Sequence, residues 1–181
     1  MTRCQHLVWI VALASLATWA FWVSEPQWLY EDVLWRAQGF EWRWEPRALT
    51  QASWYVLGKV APGPTAARVA NLALHGIVAV LVWHLARRLR LSSLGAYLAA
   101  GVVLLHPLTV ETVAYAAQRG ELFAAIGVVT ACLVATGRWW QWPTALGIVA
   151  AVLFGVLGKE SAVVALGLVP LTMWARGHYG E

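Results

Sequence analysis

Ionisable side chains are scarce in this sequence, and several of them form short motifs at the ends of apolar runs. Tyr30-Glu31-Asp32 follows the first apolar run. Adjacent carboxylates at a membrane surface can act as a general base or hold a metal ion. His106-Pro107-Leu108-Thr109-Val110-Glu111 is followed by Arg119-Gly120-Glu121. On one continuous helix, Glu111 and Arg119 would lie within a quarter-turn of each other. A carboxylate and a guanidinium placed so could orient a phosphate and an acceptor. Gly158-Lys159-Glu160-Ser161 separates two hydrophobic runs, and ionisable groups at membrane depth are functional candidates. Asn71 and His75, one helical turn apart inside an apolar run, share a helix face and could line a polar cavity.

Each motif also has a plain structural explanation. Glu31 and Asp32 suit a solvated loop, and for two acids alone that explanation is the stronger. Glu111 and Arg119 suit an ion pair at a helix end, and Lys159-Glu160 a polar turn. Asn71 and His75 suit hydrogen bonding between packed helices. His75 and His84 fall on opposite helix faces, so they cannot jointly ligate one haem from that helix. The sequence has no zinc-ligand spacing, Gly-rich phosphate loop or Ser/His/Asp set.

The elements that must carry these residues are hydrophobic helices. Of the 181 residues, 60% are hydrophobic and 12% charged, against about a quarter charged in soluble domains. A span needs roughly 20 residues, and the hydropathy pattern predicts an all-α polytopic bundle in one domain. Its six spans lie near 6–23, 66–86, 92–106, 119–137, 143–158 and 161–175. The first is expected to be a retained signal-anchor, since no small-residue cleavage site ends it. Residues 24–64 form a long outer loop, with Arg47–Val60 lying on the membrane and Leu49, Trp54, Tyr55 and Leu57 facing lipid. The 13 tryptophans cluster near the expected span ends, as indoles do at membrane interfaces.

Charge sets the orientation. With the N-terminus in the cytoplasm, that side collects Arg3, Arg87, Arg88, Arg90, Arg138 and Arg176 with only Glu181 acidic. This satisfies the positive-inside rule and puts the C-terminus in the cytoplasm too. The net charge of +4 then reflects cytoplasmic loops, and no dense Lys/Arg run suits nucleic acid. Cys4 and Cys132 fall near the cytoplasmic side and are expected as free thiols.

Taken in order, His106-Pro-x-x-x-Glu111-x-Val113, Arg119-x-Glu121-Leu122 and Lys159-Glu160 resemble the membrane part of transmembrane and tetratricopeptide-repeat O-mannosyltransferases. These are multi-spanning glycosyltransferases that use polyprenyl-phosphate sugars. Arg47-Ala48-Leu49-Thr50 resembles the family's Arg-Pro-Leu-Thr, with Ala48 in place of proline. Asn71-x-x-x-His75 fits its second span, and Glu31-Asp32 sits where the family carries two aspartates. The resemblance covers roughly residues 5–175. Family members are longer, with further spans and usually a repeat domain.

The resemblance implies sugar transfer from a polyprenyl-phosphate donor to an acceptor hydroxyl on the outer face of a bacterial inner membrane. Asp32 is the expected base, supported by Glu31. Arg119 and Lys159 are the expected phosphate contacts. Glu111 and His106 would shape the acceptor or metal site, and Glu160 and Arg47 complete the substrate-binding set. A divalent cation could stabilise the departing phosphate. The alternative is a non-catalytic accessory subunit, bound to other membrane subunits, that keeps the fold. A small transporter or a pigment-binding electron-transfer subunit is a third expectation.

Overall fold

The computed structural model describes Trp9, residues 47–137 and residues 141–178. Helix α1 is Ala48–Val60. Gly63 and Pro64 then open α2, Pro64–Arg88, where the proline lacks only an N–H that a first helical turn leaves unused. Arg90, the residue after the α2 cap, has a φ of 66°. The Leu91 N–H donates to the Ala86 carbonyl at 3.0 Å and the Arg90 N–H to that of Arg87 at 3.2 Å. This is a Schellman ending, with arginine where glycine is usual. Helix α3, Ser93–Leu105, is capped by Ser92, whose hydroxyl accepts the Gly95 N–H at 3.1 Å.

Pro107 stops α3. His106 before it is extended (ψ 131°), as a residue preceding proline prefers. A 3-10 turn, Pro107–Thr109, leads into the short α4, Val110–Ala114. Extended Tyr115 and a second 3-10 turn, Ala116–Gln118, precede α5, Arg119–Ala135. Helix α6 is Trp142–Gly158, and after a 3-10 segment at Glu160–Val164 comes α7, Ala165–His178. Among the described residues there is no strand, so the all-α architecture stands.

Among the described residues, fewer helices qualify as spans than hydropathy alone predicts. Pro64–Arg88 and Ala116–Ala135 are each long and apolar enough to cross a membrane. A third crossing is available if α3 and the Pro107–Ala114 segment, bent by 50°, act as one broken span. The expected span at 143–158 is α6, an apolar helix of 17 residues, short of the roughly 20 that a bilayer core asks for. The expected span at 161–175 begins as 3-10 structure and carries Pro170 inside α7. Hydropathy averages over such breaks and does not register them. The run at 6–23 lies outside the described residues except for Trp9.

Helices α5 and α6 pack antiparallel through small residues. A Cβ on Gly127 would fall 2.5 Å from the Gly155 Cα, and one on Gly158 would fall 2.4 Å from the Phe123 Cβ. Further along, a Cβ on Gly147 would meet Val134 at 3.2 Å. Two backbones this close gain dispersion contacts that lipid cannot supply, the usual basis of helix association in membranes. The core beside them is built largely of Ala124, Ala131, Ala135, Ala151, Ala162 and Ala165. Cys132 is a free, buried thiol in that core, and Cys4 lies outside the described residues.

Candidate functional site

The N-terminus of α5 gathers the polar residues of one bundle end. Arg119 is 2% exposed. Its Nε donates to Asn71 Oδ1 at 2.9 Å on α2, and one Nη to the Ala67 carbonyl at 3.3 Å. The other Nη is 3.4 Å from the Ser53 hydroxyl on α1. The guanidinium lies 4.4 Å over the Trp54 ring, a cation–π contact that keeps a desolvated charge stabilised. Trp54 therefore faces the bundle at 3% exposure, not the lipid. The apolar count of α1 cannot reveal this, because the buried face combines the polar Thr50 and Gln51 with Trp54.

Asn71 explains the break before α5. Its Nδ2 donates to the Tyr115 carbonyl at 2.9 Å, and lies 3.4 Å and 3.5 Å from those of Thr112 and Val113. A side chain thus supplies the donor for carbonyls that lose their helical partners. In consequence Glu111 and Arg119 do not share one continuous helix, and their expected pairing through helix periodicity does not occur. Arg119 instead ties α1, α2 and α5 together, and a phosphate would reach it only by displacing those groups.

Both ion pairs between described residues sit beside this hub. Arg47, just before α1, donates from Nε to Glu160 at 3.0 Å and from an Nη at 2.5 Å. That hydrogen bonding, reinforced by the nearby positive charges, holds the Glu160 carboxyl down to about 2. Lys159 Nζ lies 2.5 Å from Glu121 Oε1, and the Ser161 hydroxyl donates to Glu121 Oε2 at 3.1 Å. The Thr50 hydroxyl donates to the Gly158 carbonyl at 2.8 Å. Gly120 is required there, since a Cβ would stand 2.9 Å from that carbonyl oxygen. Lys159 itself is extended, and Glu160 and Ser161 open a 3-10 segment, so the expected simple turn is longer than four residues.

Glu111 and His106, expected in one site, line different spaces. Glu111 borders a polar cleft of about 470 Å³ with Glu121, Gln118, Thr109, Thr112 and the buried His75. His106 borders an apolar groove of about 430 Å³ along α3. Its Nδ1 accepts the Leu108 N–H at 3.2 Å and its carbonyl accepts the Thr109 hydroxyl at 2.6 Å, so it fastens the Pro107 turn.

Sequence reasoning placed Glu121 only as part of a motif and gave no role to Ser53, Thr50, Gln118 or Ser161. Their signal is tertiary: hydroxyl and amide groups are common in any helix. Glu31 and Asp32 lie outside the described residues. Among the described residues, no group of three or more His, Cys, Asp or Glu is placed to hold a metal ion. No protein-family model matches the chain, and no curated protein and no solved structure does either.

Proposed function

We propose that this chain is a membrane glycosyltransferase, or the N-terminal part of one, similar to the O-mannosyltransferases named above. The observation that carries the reading is the convergence at one bundle end. Arg47, Asn71, Arg119, Glu121, Lys159 and Glu160 come from stretches as much as 113 residues apart, and hydrogen bonds join them in three pairs. A polar cleft with an exposed carboxylate, Glu111, opens beside it.

In the proposed reaction the bond between the sugar C1 and the donor phosphate oxygen breaks. A bond from C1 to the acceptor oxygen forms, the hydroxyl proton passes to Asp32 with Glu31 supporting it, and polyprenyl phosphate leaves. Lys159 and Arg47, each partly exposed at the rim, are better placed than Arg119 to meet that phosphate. Glu111 orients the acceptor in the cleft. The polar end faces outward from a bacterial inner membrane, with both termini cytoplasmic. In this proposal α6 also crosses, because it runs alongside α5 from Gly158 to Gly147 and so covers the same depth.

One observation favours the accessory-subunit reading: Lys159 and Arg47 already have carboxylate partners inside the chain. The test is transfer of labelled sugar from a polyprenyl-phosphate donor to a hydroxyl acceptor, by the full chain in liposomes. Transfer that falls at least about a hundredfold in Asp32→Asn, the usual scale for a lost general base, supports catalysis. Transfer unchanged in that variant removes Asp32 as base. No transfer by the native chain, with helicity intact, leaves the accessory subunit.

A further inference from the structure

The opposite end of the bundle is built from the turn between α2 and α3. No acidic residue occurs between Glu45 and Glu111, while Arg87, Arg88 and Arg90 fall within four positions. All three are exposed. Arg90 occupies left-handed backbone at the Schellman position, where any Cβ is disfavoured and glycine is the usual solution. The third cation therefore sits at this turn against the backbone's preference. Arg87 folds back so that an Nη donates to the Leu91 carbonyl at 2.6 Å, which holds its charge on the turn itself.

Four residues beyond Arg90, at Leu94 in the first turn of α3, the apolar groove along that helix begins. Leu94, Leu98, Val102 and Leu105 follow one another along its wall to His106 and Pro107. The first three are more than half exposed. Tyr97 stands between Trp83 (5.8 Å) and Trp9 (6.2 Å), centroid to centroid, an aromatic layer one turn inside the arginines such as marks the headgroup level of a bilayer. The groove runs nearly the length of α3, about 20 Å at 1.5 Å per residue. That length suits an acyl chain running in from the headgroup level.

From these observations we propose that the α2–α3 hairpin binds an anionic phospholipid. The phosphate is held by Arg87, Arg88 and Arg90, and one acyl chain lies in the groove along α3. Charge complementarity selects the headgroup, since juxtamembrane arginines attract anionic lipid. The apolar groove selects a lipid over a free phosphate. This site is independent of the proposed sugar transfer, being at the other end of the bundle.

The experiment is a native mass spectrum of the full chain in detergent, titrated with phosphatidylglycerol, phosphatidylcholine or glycerol phosphate. The expected result is retained phosphatidylglycerol adducts, few with phosphatidylcholine and none with glycerol phosphate. Arg88→Gln and Arg90→Gly should each cut occupancy about fivefold, the effect of one lost juxtamembrane charge. Arg90→Gly suits the left-handed backbone, so loss of binding there is not loss of fold, and circular dichroism confirms it. Arg176→Gln, which removes an exposed charge from α7, should leave binding unchanged. Equal retention of the two lipids, an undiminished Arg88→Gln/Arg90→Gly double variant, or an equal loss in Arg176→Gln overturns the site. Retention of glycerol phosphate alone overturns the acyl groove.

Discussion

The two ends of the bundle handle charge in opposite ways. At the α5 N-terminus, Arg119 is enclosed by α1 and α2, and Arg47 and Lys159 meet carboxylates from distant segments. At the α2–α3 turn the cations are neighbours in sequence and exposed. A charge that is buried must be paired or hydrogen-bonded, because desolvation is costly. A charge at the headgroup level can rely on water and lipid phosphate instead. The first end is therefore specified by tertiary contacts and is sensitive to their loss. The second is specified by local sequence.

The largest effect is expected at Asn71. Asn71→Leu removes the acceptor for Arg119 Nε and the donor for the Tyr115 carbonyl in a fully buried position. A cost of about 3 kcal/mol follows from leaving such groups unsatisfied, read by denaturant titration in detergent. A cost below about 1 kcal/mol would mean that the polar end is not a specified network.

At the other end the sign reverses. Arg90→Gly relieves left-handed backbone and should stabilise the fold by about 1 kcal/mol in the same titration. Destabilisation would show that Arg90 holds the turn through its side chain, and the contrast between the ends would weaken.

The smallest effect concerns the Arg47–Glu160 pair, which is exposed. The folded state lowers the Glu160 carboxyl from its ordinary 4.5 to about 2. The pair's contribution is then full above about pH 4.5 and is lost as pH falls through about 2. Spin labels on α1 and α7 should keep their separation from pH 7 to 5, and it should increase only in acid. Separation between pH 7 and 5 would show that this pair does not fasten α1.

Much of the plan was legible in the order of residues. Pro64, Ser92 and Pro107 mark helix boundaries that occur where their chemistry places them, and Arg87 and Arg88 mark the last turn of α2. The reach of Arg119 was not legible. Its spacing from Glu111 suggested one helical face, but Asn71 captures the intervening carbonyls and breaks the helix. Nor could the amphipathic pattern of α1 say which face meets lipid: Trp54 is as apolar as a lipid-facing residue and lies instead under a guanidinium.

The sequence by itself determined that the chain is helical, that it is apolar enough to enter a membrane, and which of its turns gathers three arginines within four positions. Those properties follow from composition and local spacing, which act over a few residues. Only the tertiary structure decided that Arg119 is enclosed, which carboxylates Arg47 and Lys159 meet, and that His106 and Glu111 face separate spaces. Such pairings join residues far apart along the chain, and they depend on backbones coming close at Gly120, Gly127, Gly155 and Gly158. No local pattern encodes the distance between two helices before they pack.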